Sequence, residues 1–193
     1  MPMSRAAVVV NPTKLSDDEA FRKSVRQAMD AHGWDEPLWL ETTREDPGRG
    51  QAESAVSAGV DLVLACGGDG TVTACAEGIT DTGVPLAIIP FGTGNLLARN
   101  IGLPTGLDEA LAVALGGVQQ PIDAGRVNGT LFVVMAGLGL DARPLRPHYP
   151  STRWARHPGA PSARPARVRR QRPRRTRAAI IALYRRRGHL HPA

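Results

Sequence analysis

Apolar and polar positions along this chain fall into two kinds of block that take turns. One kind is a short unbroken apolar run: Ala6–Val10, residues 38–40, 62–65 and 84–89. Such runs, rich in Val, Ile and Leu, fit strands covered on both faces. The other kind repeats apolar residues at helical spacing. Ala20, Phe21, Val25, Ala28 and Met29 mark a first helix. Ser16-Asp17-Asp18-Glu19 predicts a capping box ahead of it, with Ser16 at the cap, and Gly33 stops it. Further helices are predicted over 51–58, 72–79, from 96 to 100 and over 107–115. Residues 121–127 and 131–136 read as two strands joined by a hairpin turn at Asn128-Gly129.

Strands that alternate with helices predict an α/β layered domain with a largely parallel sheet. In such sheets ligands bind beyond the carboxyl ends of the strands. The predicted ends carry Asn11, then Thr42 and Thr43, then Gly67, Gly68, Asp69, Gly70 and Thr71, then Gly92, Thr93, Gly94 and Asn95. Glycine lets a ligand reach the main chain with no Cβ in the way. N–H groups ahead of a helix converge on an anion. Thr71 and Thr93 offer hydroxyls, and Asn11 and Asn95 offer amides. A tight turn without a ligand is the plainer reading, but it requires one glycine rather than three. Asp69 is out of place beside phosphate; it suits a Mg²⁺ ion, a sugar hydroxyl or a bond that braces the loop.

Charge changes the picture at the far end. Up to Ala142 the chain has nine Lys and Arg against 18 acids, and from Arg143 onward it has 15 Arg and no acid. The formal net charge of +6 therefore describes neither part. The basic tail over 143–193, expected to be disordered, allows three readings: an out-of-frame product, a basic arm for anionic lipid or nucleic acid, and a short membrane-lying helix over 176–187. Trp154, Tyr149 and Tyr184 are too sparse for a base-stacking platform, so nucleic acid is the weaker partner. No run of 18 apolar residues and no secretory leader is seen, and Cys66 and Cys75 lack metal-type spacing. A cytoplasmic protein with reduced thiols is the expectation.

Several chemistries find no support. A Walker A loop would need a lysine after its glycines, and no lysine follows Lys23. Gly137-Leu138-Gly139-Leu140-Asp141-Ala142 fits a dinucleotide fingerprint, yet prolines rather than a helix follow, with no acid downstream. Four of the five histidines lie in the tail, and there is no G-x-S-x-G.

Taken together, Val8-Val9-Val10-Asn11-Pro12, Thr42-Thr43 with Pro47-Gly48, Gly67-Gly68-Asp69-Gly70-Thr71 and Pro90-Phe91-Gly92-Thr93-Gly94-Asn95 with Ala98-Arg99 resemble the diacylglycerol kinase catalytic-domain family. Ile122-Asp123-Ala124-Gly125 and Met135-Ala136-Gly137-Leu138-Gly139 extend the resemblance. That superfamily also holds bacterial lipid kinases, sphingosine kinases and, more distantly, NAD kinases. The resemblance implies a two-domain kinase using ATP and Mg²⁺ to phosphorylate a lipid hydroxyl, peripheral at the inner membrane face. It implies nucleotide contacts from Asn11, Thr42 or Thr43, residues 67–71, Gly92, Thr93 and Asn95, with Asp69 as the candidate catalytic acid. The expected division is an ATP-binding domain over 1–127, the opening of a β-rich domain over 128–142, and the tail. The family's Asn-Glu after Gly-Thr is Thr73-Ala74 here, with the nearest acid at Glu77. The general base that the family carries in its second domain has no counterpart, since no carboxylate side chain follows Asp141. An incomplete or inactive kinase is thus expected. A non-catalytic nucleotide-binding module, or anionic-surface binding through the tail, is the alternative.

Overall fold

The structure, a computed structural model, describes residues 4–127, 130–133 and the strand at 174–183. Its first strand, β1 (Ala6–Val10), is buried at every residue, as a run with no polar position requires. A 3-10 turn over Pro12–Lys14 follows. Helix α1 (Asp18–Ala31) is capped by Asp17, whose Oδ1 accepts from Ala20 N at 2.9 Å, so the cap lies one residue beyond the expected Ser16. Then come β2 (Leu38–Glu41), α2 (Arg49–Ser57), β3 (Leu62–Gly67), α3 (Asp69–Ile79), β4 (Leu86–Pro90), α4 (Leu96–Asn100) and α5 (Leu107–Gly116). Strand β5 (Val118–Val127) begins earlier than its apolar pattern suggested, and β6 (Thr130–Phe132) pairs with it antiparallel. Val127 stands opposite Thr130, which leaves a two-residue connection where the hairpin turn was expected.

Among the described residues, the strands form one sheet ordered β2-β1-β3-β4-β7-β5-β6, with β7 (Arg174–Leu183) the last in chain order. β2, β1, β3 and β4 run parallel, which agrees with the α/β expectation. Alternate residues of each strand face opposite sides. Ala7, Val9, Val63, Ala65 and Ile88 pack with Ala52 and Ala55 of α2, Cys75 and Ile79 of α3, and Leu97 of α4. Val8, Val10, Leu64, Cys66 and Ile89 pack with Phe21, Val25 and Met29 of α1 and Leu111 of α5. Covering both faces explains why β1, β3 and β4 carry no polar residue.

Within the region expected as a basic tail, the structure has a strand, β7, between β4 and β5. It meets β4 parallel at Leu86↔Ile181 and β5 antiparallel from Val118↔Leu183 to Arg126↔Arg174. Its place there is favoured because β4 and β5 both present ladder groups that require partners. The register shifts between Gln120 and Ile122, where Pro121 has no N–H to offer. The run at 137–142 and the rest of the tail lie outside the described residues.

Candidate functional site

Sheet register gathers the candidate residues. Val10 is level with Glu41 on one side and Cys66 on the other, and Gly67 is level with Pro90. The residues just past these points are therefore neighbours along one edge. Three main-chain bonds tie them there: Asn11 N to Cys66 O (3.1 Å), Thr42 N to Val10 O (2.9 Å) and Phe91 N to Gly67 O (2.9 Å).

The glycine segment is tighter than its sequence suggests. β3 ends at Gly67 and α3 begins at Asp69, so Gly68 alone connects them. Asp69, Gly70 and Thr71 form the first helical turn, where main-chain N–H groups have no partner within the helix. A Cβ on Gly67 would lie 2.7 Å from Thr71 Cβ, which excludes any side chain there. Gly70 differs: nothing lies within 4 Å of where its Cβ would be.

The second glycine loop docks on the first, backbone to backbone. A Cβ on Gly92 would sit 2.6 Å from Gly68 Cα, and one on Gly68 would sit 3.3 Å from Gly92 Cα. Asn95 closes the second loop on itself: its Oδ1 accepts from Gly92 N at 2.8 Å, and its Nδ2 donates to Gly92 O at 2.7 Å. Asn95 does so at φ 47, a left-handed conformation that Asn tolerates better than most residues. Its amide is thus committed to the loop. Asp69 then bridges the loops, its Oδ1 accepting from Leu97 N at 3.4 Å. That bond supplies the cap that Asn95, turned inward, does not give α4. Phe91 anchors the loop from below, edge-on to Phe21 with ring centroids 5.3 Å apart.

The polar side chains divide into those already engaged and those still open. Asn11 Oδ1 accepts from Thr13 N (3.1 Å) and Thr13 Oγ1 (2.7 Å), holding the turn after β1. Thr43 is exposed, and its Oγ1 accepts from Asp46 N at 3.0 Å. Thr42 and Thr71 are 7% and 5% exposed, and neither hydroxyl has a hydrogen-bond partner among the described residues. Thr93 and Gly94 are exposed at the loop tip. Burial pushes the Cys66 thiol well up and the Cys75 thiol up to about 12, so both are inert neutral groups. Phe91 and Asp46 were not singled out from the sequence. An acid before Pro47-Gly48 is a turn signature that pointed to Asp46; nothing local marked Phe91 as an anchor.

A parallel sheet with two interlocked glycine segments at its carboxyl edge is an α/β arrangement able to receive an anion. Residues 5–127 match the diacylglycerol kinase catalytic domain, and the chain belongs to that family. It is 35% identical over 143 residues to the diacylglycerol kinase of Bacillus subtilis, a match covering 71% of this chain and 46% of that one. It is 37% identical over 142 residues to a probable YegS-like lipid kinase of Pseudomonas putida, covering 72% and 47%. A crystal structure of a diacylglycerol kinase from Bacillus anthracis superposes with a TM-score of 0.60 at 27% identity, over 68% of this chain and 50% of that one. The chain thus spans about half the length of these relatives.

Proposed function

We propose that residues 6–127 form the ATP-binding part of a lipid kinase that transfers a phosphoryl group to the hydroxyl of diacylglycerol or a related lipid. Gly70 is the observation that carries the nucleotide reading. It has neither a positive φ nor a close neighbour, and glycine in a helix costs stability. A ligand that comes close to the α3 amides accounts for it. The open hydroxyls of Thr71 and Thr42, buried at the same edge, are fitting partners for phosphate oxygens.

Phosphoryl transfer asks mainly for positioning and charge stabilisation. The α3 N-terminus supplies aligned N–H donors, and Thr93 adds a hydroxyl from the facing loop. Mg²⁺ would neutralise phosphate charge. Asp69 fits its approach through Oδ2, since Oδ1 is held by Leu97 N. Asp69 is accordingly a bridge between the loops before it is anything else. Within residues 142–193 no carboxylate side chain is available to take the acceptor's proton.

Calorimetric titration of residues 1–193 with ATP, beside a vesicle assay for phosphorylated diacylglycerol, tests the reading. The expected result is saturable ATP binding with transfer at or near background. Binding with no transfer from a longer chain as well would favour a non-catalytic nucleotide-binding module, and no ATP binding would overturn the nucleotide reading.

A further inference from the structure

The segment from Thr43 to Gly50, which joins β2 to α2, is organised by one side chain. Asp46 uses every polar group it has. Its N–H donates to Thr43 Oγ1 (3.0 Å), and its carbonyl accepts from Thr43 N (2.9 Å). Its Oδ1 accepts from Gly48 N (3.1 Å) and Gly50 N (3.2 Å), and its Oδ2 from Gly50 N (3.0 Å). The carboxylate therefore caps α2 in place of Gly48, which has no side chain to do so.

The bond to Gly48 matters beyond α2. Gly48 is held at φ +142, a conformation that side chains rarely adopt. In that pose it lies against the start of α3. A Cβ there would come 2.9 Å from Cys75 Sγ and 3.4 Å from Thr71 O, and Cys75 Sγ donates weakly to Gly48 O at 3.6 Å. One turn further along, a Cβ on Gly78 would meet Arg49 O at 2.6 Å. At Gly48 and Gly78 the two helices thus come close, with only the short side chains of Cys75, Thr71 and Ala52 beside the contacts, which leaves little slack between Gly48 and Thr71.

We infer that Asp46 is a positioning residue of the nucleotide site: it holds Gly48 as the backstop of the first turn of α3, and so sets where the Gly70 and Thr71 amides point. The inference rests on the nucleotide reading of that turn. It also reassigns Thr43, whose hydroxyl serves Asp46.

The test uses residues 1–193 carrying Asp46→Ala or Asp46→Asn, the latter keeping an acceptor oxygen for Gly48 and Gly50. ATP affinity is measured well below each variant's unfolding midpoint, and the Gly70 and Thr71 amide resonances are followed without ligand. Asp46→Ala is expected to shift both resonances and weaken ATP binding about tenfold, with Asp46→Asn within about threefold of the parent. A lower unfolding midpoint with unmoved resonances and unchanged affinity would overturn the inference, because a purely structural cap acts only on folding. Should Asp46→Ala not fold, Thr43→Val removes the acceptor for Asp46 N alone, and the same two readouts decide. If the parent does not bind ATP, the nucleotide reading falls, while the amide resonances still report whether Asp46 positions the turn.

Discussion

Gly70 and Gly92 look alike in the sequence and meet opposite constraints in the fold. Space is open around Gly70, so Gly70→Ala should relieve the helix penalty of glycine, roughly 0.5–1 kcal/mol, and raise the unfolding midpoint by about 2 °C. The same methyl would stand where a ligand approaches, so ATP affinity should fall about tenfold. A calorimetric scan beside an ATP titration reads both, and a variant that is more stable yet binds ATP as before would remove the case for a ligand there. Gly92→Ala forces a methyl into Gly68 and should destabilise by about 1–3 kcal/mol in a denaturant titration. The buried thiols set a pH limit. With Cys75 lifted from 9.0 to about 12, the unfolded chain loses its proton before the folded one does. The stability is fully present below about pH 9 and is lost as pH rises toward 12. Urea midpoints taken from pH 8 to 11 should fall, and less steeply when Cys66 and Cys75 are both replaced by alanine.

At the level of elements, the outcome turns on how far apart the interacting residues lie along the chain. Apolar runs such as Ala6–Val10 announce buried strands because the signal is carried by adjacent residues, and the sheet, its parallel core and its carboxyl edge were all legible in that way. Gly68 against Gly92 and Asp69 against Leu97 were not, since the partners belong to different strand–helix units. Composition marks each as permissive or acidic without naming the other side. The Asp69 bridge carries its own prediction. Asp69→Ala removes the cap of α4, at a cost of about 1 kcal/mol, while Asp69→Asn keeps an acceptor and should recover most of it. Amide exchange at Leu97 should quicken in Asp69→Ala and not in Asp69→Asn; equal exchange in both would mean that the long 3.4 Å contact holds nothing in solution.

On the scale of the whole molecule, β7 joins two pieces of sheet that have no other ladder between them among the described residues. β2, β1, β3 and β4 form a parallel unit packed on both faces, while β5 and β6 form an antiparallel pair. β7 reaches the first through the single register pair Leu86↔Ile181 and the second along nearly its whole length. Side-chain contacts back this up only in part: Ala124 and Leu131 join the core, and Glu77 of α3 lies 3.6 Å from Arg126 of β5. A salt bridge of that exposure adds little on its own. Deleting residues 174–183 should therefore loosen β5 and β6 while the parallel unit stays folded. Hydrogen exchange followed by mass spectrometry resolves the two: residues 118–127 should lose protection, and residues 6–10 and 62–67 should keep theirs. Retained protection at 118–127 would show that the core contacts of Ala124 and Leu131 suffice. Because the glycine loops and the α3 amides sit on the parallel unit, ATP binding should survive the deletion within about threefold, a separation that would place the proposed nucleotide site upstream of β5.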